Sequence, residues 1–332
     1  MSSREPKLIS VVAPAYNEQD VLPEFHERLT TVFARLEDQL EVIYVNDGSS
    51  DRTLEVLQSL RAGDPRITIV DLSRNFGKEI AMTAGFDHAC GDAVVVIDTD
   101  LQDPPEVIPE MIQHWRGGYD VVYAKRISRE GETWLKKATA SAFYRLIQRV
   151  SRVRIPQDTG DFRLLSRRAV LALGRLREQH RFMKGLFAWI GYPQKAIPYH
   201  RDVRFAGETK WNYWKLWNFA IEGITSFTTA PLKLASYFGL LVALFAFVYA
   251  AVVIYRTVIF GEEVRGYPSL MVVVLMLGGI QLASLGIIGE YLGRMFNETK
   301  GRPLYLVQRL EPSQAALEAQ GQEAAGKRDT KT

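Results

Sequence analysis

Ala93-Val94-Val95-Val96-Ile97-Asp98-Thr99-Asp100-Leu101-Gln102-Asp103 decides how this chain is read. An unbroken apolar run of this length suits a strand covered on both faces rather than a helix. Two aspartates at i, i+2 then leave the strand end, where they can present carboxylate oxygens to one hard cation. An isolated Asp-x-Asp also commonly begins a turn or a helix, so its surroundings must decide.

The same pattern recurs toward the N-terminus. Leu8–Ala13 reads as a strand, Val21–Leu36 as a helix, Glu41–Asn46 as a strand and Thr53–Leu60 as a helix. Ile67–Leu72 is a third strand before helical Lys78–His88; after the Ala93–Ile97 strand come helical Glu106–Trp115 and strand Val121–Ala124. Alternation of Val/Ile-rich strands with amphipathic helices predicts an α/β fold with a mainly parallel sheet. Ligands of such sheets sit beyond the carboxyl ends of the strands. Polar residues follow those ends: Pro14-Ala15-Tyr16-Asn17-Glu18, Asn46-Asp47-Gly48-Ser49 and the Asp98 motif. So many acids at one edge repel one another unless a cation or donor groups compensate. No Gly-x-Gly-x-x-Gly follows the first strand and no P-loop is present, which disfavours a dehydrogenase or P-loop enzyme.

The chain has 332 residues with net charge +3. Its one cysteine, Cys90, excludes an internal disulfide, and five scattered histidines argue against a His-built metal centre. Residues 234–255 and 269–289 carry no charge at all, and each run is long enough for one helical crossing of a bilayer. The short link between them makes a hairpin, with both chain ends on one side. Arg256 and Arg265 in the link are offset by Glu262 and Glu263. Outside lie Lys210, Lys215, Lys233, Arg294, Lys300, Arg302 and Arg309, which favours both termini in the cytoplasm of an inner-membrane, multi-pass protein.

Trp211, Trp214, Trp217, Ile221 and Ile224 read as a juxtamembrane amphipathic helix over 211–230. The Thr133–Arg154 stretch reads as a basic amphipathic helix, either seated on an anionic membrane face or packed on the core with a solvated basic side. The domain plan is therefore a cytoplasmic domain over 1–210, two transmembrane helices within 231–289, and a C-terminal segment and tail over 290–332. Basic residues beside membrane-seeking aromatics, with no recognised motif, argue against nucleic acid as a partner.

These motifs closely resemble family 2 glycosyltransferases of the GT-A (Rossmann-like) fold. Within them the likeness is to the polyprenyl-phosphate group: GtrB-like bactoprenol glucosyltransferases, dolichol-phosphate mannose synthase and ArnC. Asp158-Thr159-Gly160-Asp161-Phe162-Arg163-Leu164 and Arg204-Phe205-Ala206-Gly207-Glu208-Thr209-Lys210 match later motifs of the group, and the likeness spans roughly residues 8 to 300. It implies that Pro14, Tyr16, Glu18 and Asp47 hold the nucleotide, with Lys78 nearby. It implies that Asp98 and Asp100, with Gln102 close by, hold Mg²⁺ or Mn²⁺ on the donor diphosphate. Arg126, assisted by Arg129, would meet the acceptor phosphate, while Arg163, Arg204 and Lys210 line the phosphate-rich centre. Asp161 matches the catalytic carboxylate, with Asp158 close enough to compete for the assignment. Asn46 stands where many relatives carry aspartate. The Gln-x-x-Arg-Trp motif of processive synthases is absent, which favours transfer of a single sugar.

The implied reaction is inverting transfer from a nucleotide-sugar donor to a polyprenyl-phosphate acceptor, giving a lipid-linked sugar for cell-surface glycan or lipopolysaccharide. UDP-glucose leads as donor, ahead of UDP-GlcNAc, UDP-aminoarabinose and GDP-mannose; a diacylglycerol lipid is the other acceptor considered. A phosphate monoester has a second pKa near about 6, so the acceptor oxygen is already largely ionised. Asp161 then either removes a residual proton or orients acceptor, sugar or a basic neighbour. Membrane lipids and further copies of the chain, as a tetramer, are implied partners; a flippase and a downstream glycosyltransferase are also admitted. The contrasting reading is a non-catalytic membrane scaffold.

Overall fold

The computed structural model describes residues 5–127, 159–199, 230–260 and 266–318. The strands are β1 (Leu8–Ala15), β2 (Gln39–Asn46), β3 (Ile67–Leu72), β4 (Ala93–Val96), β5 (Val121–Arg126), β6 (Thr159–Ser166), β7 (Gln194–Tyr199) and β8 (Val307–Glu311). The helices are α1 (Leu22–Phe33), α2 (Thr53–Gly63), α3 (Lys78–His88), α4 (Ile108–Arg116), α5 (Arg167–Gly174), α6 (Met183–Trp189), α7 (Ala230–Phe260) and α8 (Tyr267–Thr299). All strands join one sheet in the order β7-β5-β6-β4-β1-β2-β3-β8.

The centre of the sheet is parallel, β1 pairing with β2 and β4, and β2 with β3. β6 runs antiparallel to both β4 and β5, while β7 runs parallel to β5. One consequence places the site. The carboxyl ends of β1 to β5 and β7 share an edge with the amino end of β6, so residues after one set meet residues at the start of the other.

Every residue of β4 is buried, as the continuous valine run requires. One apolar cluster on the first face of the sheet includes Phe25, Leu29, Tyr44, Phe162 and Ile197. A second includes Val12, Ile43, Met82, Leu165 and Phe187. α1 shows how helices reach this core: Leu22, Phe25, Leu29, Val32 and Phe33 recur on one stripe and are buried, behind a proline in the first turn. α3 approaches closely because its inner face is small. A Cβ at Gly85 would lie 2.2 Å from Val12 Cγ1. Gly85 therefore lets α3 lie down on β1 and brings its first residue, Lys78, to the functional edge.

The predicted strands and helices of the first half stand where their periodicity puts them. β6, β7, β8, α5 and α6 are additions that the reading did not name. α7 and α8 outrun the uncharged stretches at 234–255 and 269–289, because good helix formers continue each helix beyond its apolar run. Glu290 and Arg294, for example, pair at 3.0 Å one turn apart in α8. Ala235–Phe260 and Val272–Thr299 contain 18-residue stretches of mean hydropathy 2.5 and 2.2 and are long and apolar enough to cross a membrane. Their apolar side chains, such as Phe245 and Leu282, face outward.

The chain does not trail away after the hairpin. β8 pairs antiparallel with β3 and covers the sheet edge. Beyond it, Ser313 is buried, its N–H donating to Thr68 Oγ1 at 2.9 Å and its hydroxyl to Glu41 Oε1 at 3.2 Å. Arg61 Nη2 donates to the Pro312 carbonyl at 2.7 Å. The C-terminal segment expected over 290–332 is therefore packed on the domain as far as Ser313 and Ala316.

Candidate active site

The loops at the functional edge are tied to one another. Asn17 Oδ1 accepts the Ser50 N–H at 2.8 Å, and the Glu18 N–H donates to Thr53 Oγ1 at 2.9 Å, joining the β1 and β2 loops. The Thr99 hydroxyl donates to the Pro14 carbonyl at 3.4 Å, joining β4 to β1. Gly48 has φ +64°, and a Cβ there would lie 2.3 Å from the Arg74 carbonyl carbon. Only glycine lets the β2 loop press against the β3–α3 loop in this way.

Asp47 explains the entry to α3, which lacks a side-chain cap from its own N-cap residue Gly77. One Asp47 oxygen accepts the Phe76 N–H at 2.7 Å and the other the Gly77 N–H at 2.9 Å. A carboxylate at a helix start satisfies donors that the helix leaves unpaired and favours the positive end of its dipole. Burial still pushes the Asp47 carboxyl above its ordinary value, against those two N–H groups and Arg74. Asp47 thereby fixes the two residues that lead into Lys78. Asn46, where many relatives carry aspartate, donates through Nδ2 to Asp71 Oδ1 at 2.7 Å; an aspartate there would set two buried carboxylates together.

Lys78 is the hub. Its ammonium lies 2.7 Å from Asp98 and 2.5 Å from Asp161 Oδ2, so it joins the end of β4 to the start of β6. Burial alone would lower the Lys78 pKa, but the Asp161 and Asp98 carboxylates outweigh it and hold the ammonium well above its ordinary range. Burial would likewise raise Asp161. Lys78, together with Lys184 on α6, outweighs burial and holds that carboxyl well below its ordinary range. The other Asp161 oxygen, Oδ1, is buried and accepts no hydrogen bond from the described residues.

Arg163 stands two residues along β6, and its side chain is wrapped by protein. Its Nη2 donates to the Gly160 carbonyl at 2.8 Å, and its guanidinium lies 3.7 Å from the centre of the Phe187 ring. Burial lowers its pKa to about 10 against the pull of Asp161 and Glu79. Glu79 Oε2 accepts the Met183 N–H at 3.0 Å, which docks α6 against α3. Burial, with the Asp161 charge beside it, pushes Glu79 up to about 8.

Asp100 Oδ1 accepts the Gln102 N–H at 3.1 Å, and Leu101 between them adopts φ +58°, a tight turn immediately after β4. Arg126 ends β5 beside this turn, with Nε 3.5 Å from the Tyr199 hydroxyl. That hydroxyl donates to buried Asp103. Tyr16 lies 40% exposed on the β1 loop.

Lys78, Asp98, Asp161, Arg163 and Arg126 are therefore brought to one edge, with Asp47 at the entry to α3. Asp158, Arg129, Arg204 and Lys210 lie outside the described residues, as do the Thr133–Arg154 and 211–230 helices. Glu79, Lys184 and Tyr199 join the site without having been expected. Glu79 follows Lys78 directly, but Lys184 and Tyr199 belong to α6 and β7, whose short segments carry no motif. As for a cation, Asp98, Asp100 and Gln102 offer hard oxygen donors of the type Mg²⁺ and Mn²⁺ take. Among the described residues no group of three His, Cys, Asp or Glu forms a self-sufficient metal centre. The donor set fits a cation shared with a substrate diphosphate.

Comparison with known proteins agrees with this geometry. The family described as "Glycosyl transferase family 2" matches residues 10–174, and "GtrB C-terminal hairpin" matches residues 230–295. A Synechocystis protein named uncharacterized glycosyltransferase sll0501 is 54% identical over 90% of this chain and 94% of its own. YkcC of Bacillus subtilis, also named an uncharacterized glycosyltransferase, is 49% identical over 90% of this chain and 93% of its own. The bactoprenol glucosyl transferase of Shigella phage SfX is 46% identical over 90% of this chain and 98% of its own. With the motifs, the sheet topology and the hairpin in agreement, the chain belongs to glycosyl transferase family 2 and is a glycosyltransferase of the GtrB type.

Proposed function

We propose that the protein transfers a single glucose from UDP-glucose to the phosphate of a polyprenol at the cytoplasmic face of the inner membrane, with inversion at the sugar. The observation that carries this reading is the Lys78 bridge, 2.7 Å to Asp98 and 2.5 Å to Asp161, which couples the donor side of the site to the expected catalytic carboxylate. The name of the phage relative supports the sugar and the lipid. The two apolar helices support an enzyme moored where such a lipid resides. Further copies of the chain, arranged as a tetramer, belong to the same proposal.

The acceptor phosphate oxygen attacks the sugar's anomeric carbon, and the bond electrons leave with the nucleoside diphosphate. Since a phosphate monoester is mostly ionised at neutral pH, with a second pKa near about 6, the nucleophile needs little activation. Asp161, held ionised by Lys78, is a weak base. Its role is electrostatic: it fixes the Lys78 ammonium and turns a desolvated carboxylate oxygen toward charge that develops in the transition state. Asp98, Asp100 and Gln102 would hold Mg²⁺ or Mn²⁺, which supplies charge neutralisation on the departing diphosphate. Pro14, Tyr16 and Glu18 would border the nucleotide, and Arg126 the acceptor phosphate. Arg129, Arg204 and Lys210 keep their proposed phosphate contacts, and Asp158 is held in reserve behind Asp161.

The test is direct. Purified full-length protein in detergent is given radiolabelled sugar nucleotides, one at a time, with and without undecaprenyl phosphate and with and without chelator. Labelled lipid from UDP-glucose, dependent on the lipid phosphate and abolished by chelator, is the expected result. Label released only to water, or no preference for UDP-glucose, rejects the reading.

A further inference from the structure

Arg126 and Tyr199 are the last residues of β5 and β7 and stand opposite each other in the parallel register. The contact runs in one direction. Arg126 Nε approaches the Tyr199 hydroxyl at 3.5 Å, and that hydroxyl donates its proton to Asp103 Oδ1. Tyr199 is 4% exposed and Asp103 1%, and the Phe162 ring meets the Tyr199 ring edge-on at 6.2 Å. Neither side chain is open to a substrate. What they can govern is the guanidinium in front of them.

The Nη2 end of that guanidinium faces the Gly160 backbone, which Asp103 Oδ2 also approaches. A Cβ built on Gly160 would lie 3.4 Å from Arg126 Nη2, and Gly160 immediately precedes Asp161. The Gly160 carbonyl is already taken by Arg163. Tyr199 thus holds the guanidinium at Nε, and Nη2 lies beside Gly160, the residue before Asp161. Such a fork matches the oxygens of a phosphate, and a fork already tethered loses less freedom when it binds.

We propose that Asp103 and Tyr199 are positioning residues that hold the Arg126 guanidinium against Gly160 for the phosphate monoester of the acceptor. This rests on the reading of the acceptor as a lipid phosphate and adds to it a buried tether behind the phosphate-binding arginine.

The test uses the full chain in detergent, with undecaprenyl phosphate and UDP-glucose varied separately. Tyr199→Phe keeps the ring and its packing but removes the hydroxyl, and should raise the acceptor KM about tenfold while the donor KM stays at its wild-type value. Arg126→Gln should raise the acceptor KM by about 10²-fold. In that background, Tyr199→Phe should add nothing, because its effect runs through the missing guanidinium. Asp103→Asn reads the tether from its far end: an amide oxygen still accepts the hydroxyl proton, so its acceptor KM should fall between wild type and Tyr199→Phe. An unmoved acceptor KM in both tether variants overturns the inference, as does a full additional effect of Tyr199→Phe in the Arg126→Gln protein. Wild-type protein that transfers sugar to no polyprenyl phosphate overturns the underlying reading instead.

Discussion

Asp161 keeps one oxygen on Lys78 and leaves the other buried without a donor among the described residues, so its substitution separates two chemistries. Asp161→Asn should lower kcat at least about 10²-fold at every pH between roughly 6 and 9, the signature of lost electrostatic support. Recovery at high pH in a pH–rate profile would identify a base instead. Glu79 gives a stability prediction with a definite sign. Its folded pKa, about 8, lies above the ordinary 4.5, so the folded chain holds that proton more tightly than the unfolded one. Its contribution is fully present below the unfolded value and is lost as pH rises toward the folded one. Glu79→Gln keeps an acceptor for the Met183 N–H, and its melting midpoint should fall less than wild type's between roughly pH 5 and pH 9. Gly48→Ala forces a Cβ toward Arg74 and a positive φ on alanine. It should cost at least about 1–2 kcal/mol in denaturant unfolding. Asp98 and Asp100 were legible in the sequence because they follow an apolar strand, whereas Lys78 and Asp161 entered through the family resemblance. The two backbone partners of Asp47 were not legible, since nothing in the motif says that its carboxylate also caps α3.

Elements show the same division. β1 to β5 announce themselves by segments rich in valine and isoleucine, unbroken in β4, and α1 by its stripe. β6 starts inside a motif, Thr159-Gly160-Asp161, so its polar residues masked a strand whose antiparallel course carries Asp161 to the functional edge. β8 was illegible for another reason: Val307–Glu311 is short, exposed from Val307 to Leu310 without a buried stripe, and defined only by its pairing with β3. Ser313→Ala tests how firmly this segment is held. It removes the hydroxyl that donates to buried Glu41 and accepts the Ala316 N–H, and should cost about 1–3 kcal/mol. An unchanged unfolding midpoint would mean that the segment is loosely laid on the domain.

At the scale of the whole molecule, the domain meets the hairpin at the end of α8. The Gln179 N–H donates to Glu298 Oε1 at 2.7 Å, linking the domain to the end of α8. Tyr305 and Arg177 meet on Asp87, each at 2.8 Å. The full chain should float with lipid vesicles and resist extraction by high salt and alkaline carbonate; release by either wash would make the attachment peripheral. The placement of β8 has a further consequence for biosynthesis. Its residues are the last of the sheet to leave the ribosome, after both hairpin helices have been made. The β3 edge therefore stays open until both hairpin helices have been made, and the sheet closes as the last step of synthesis.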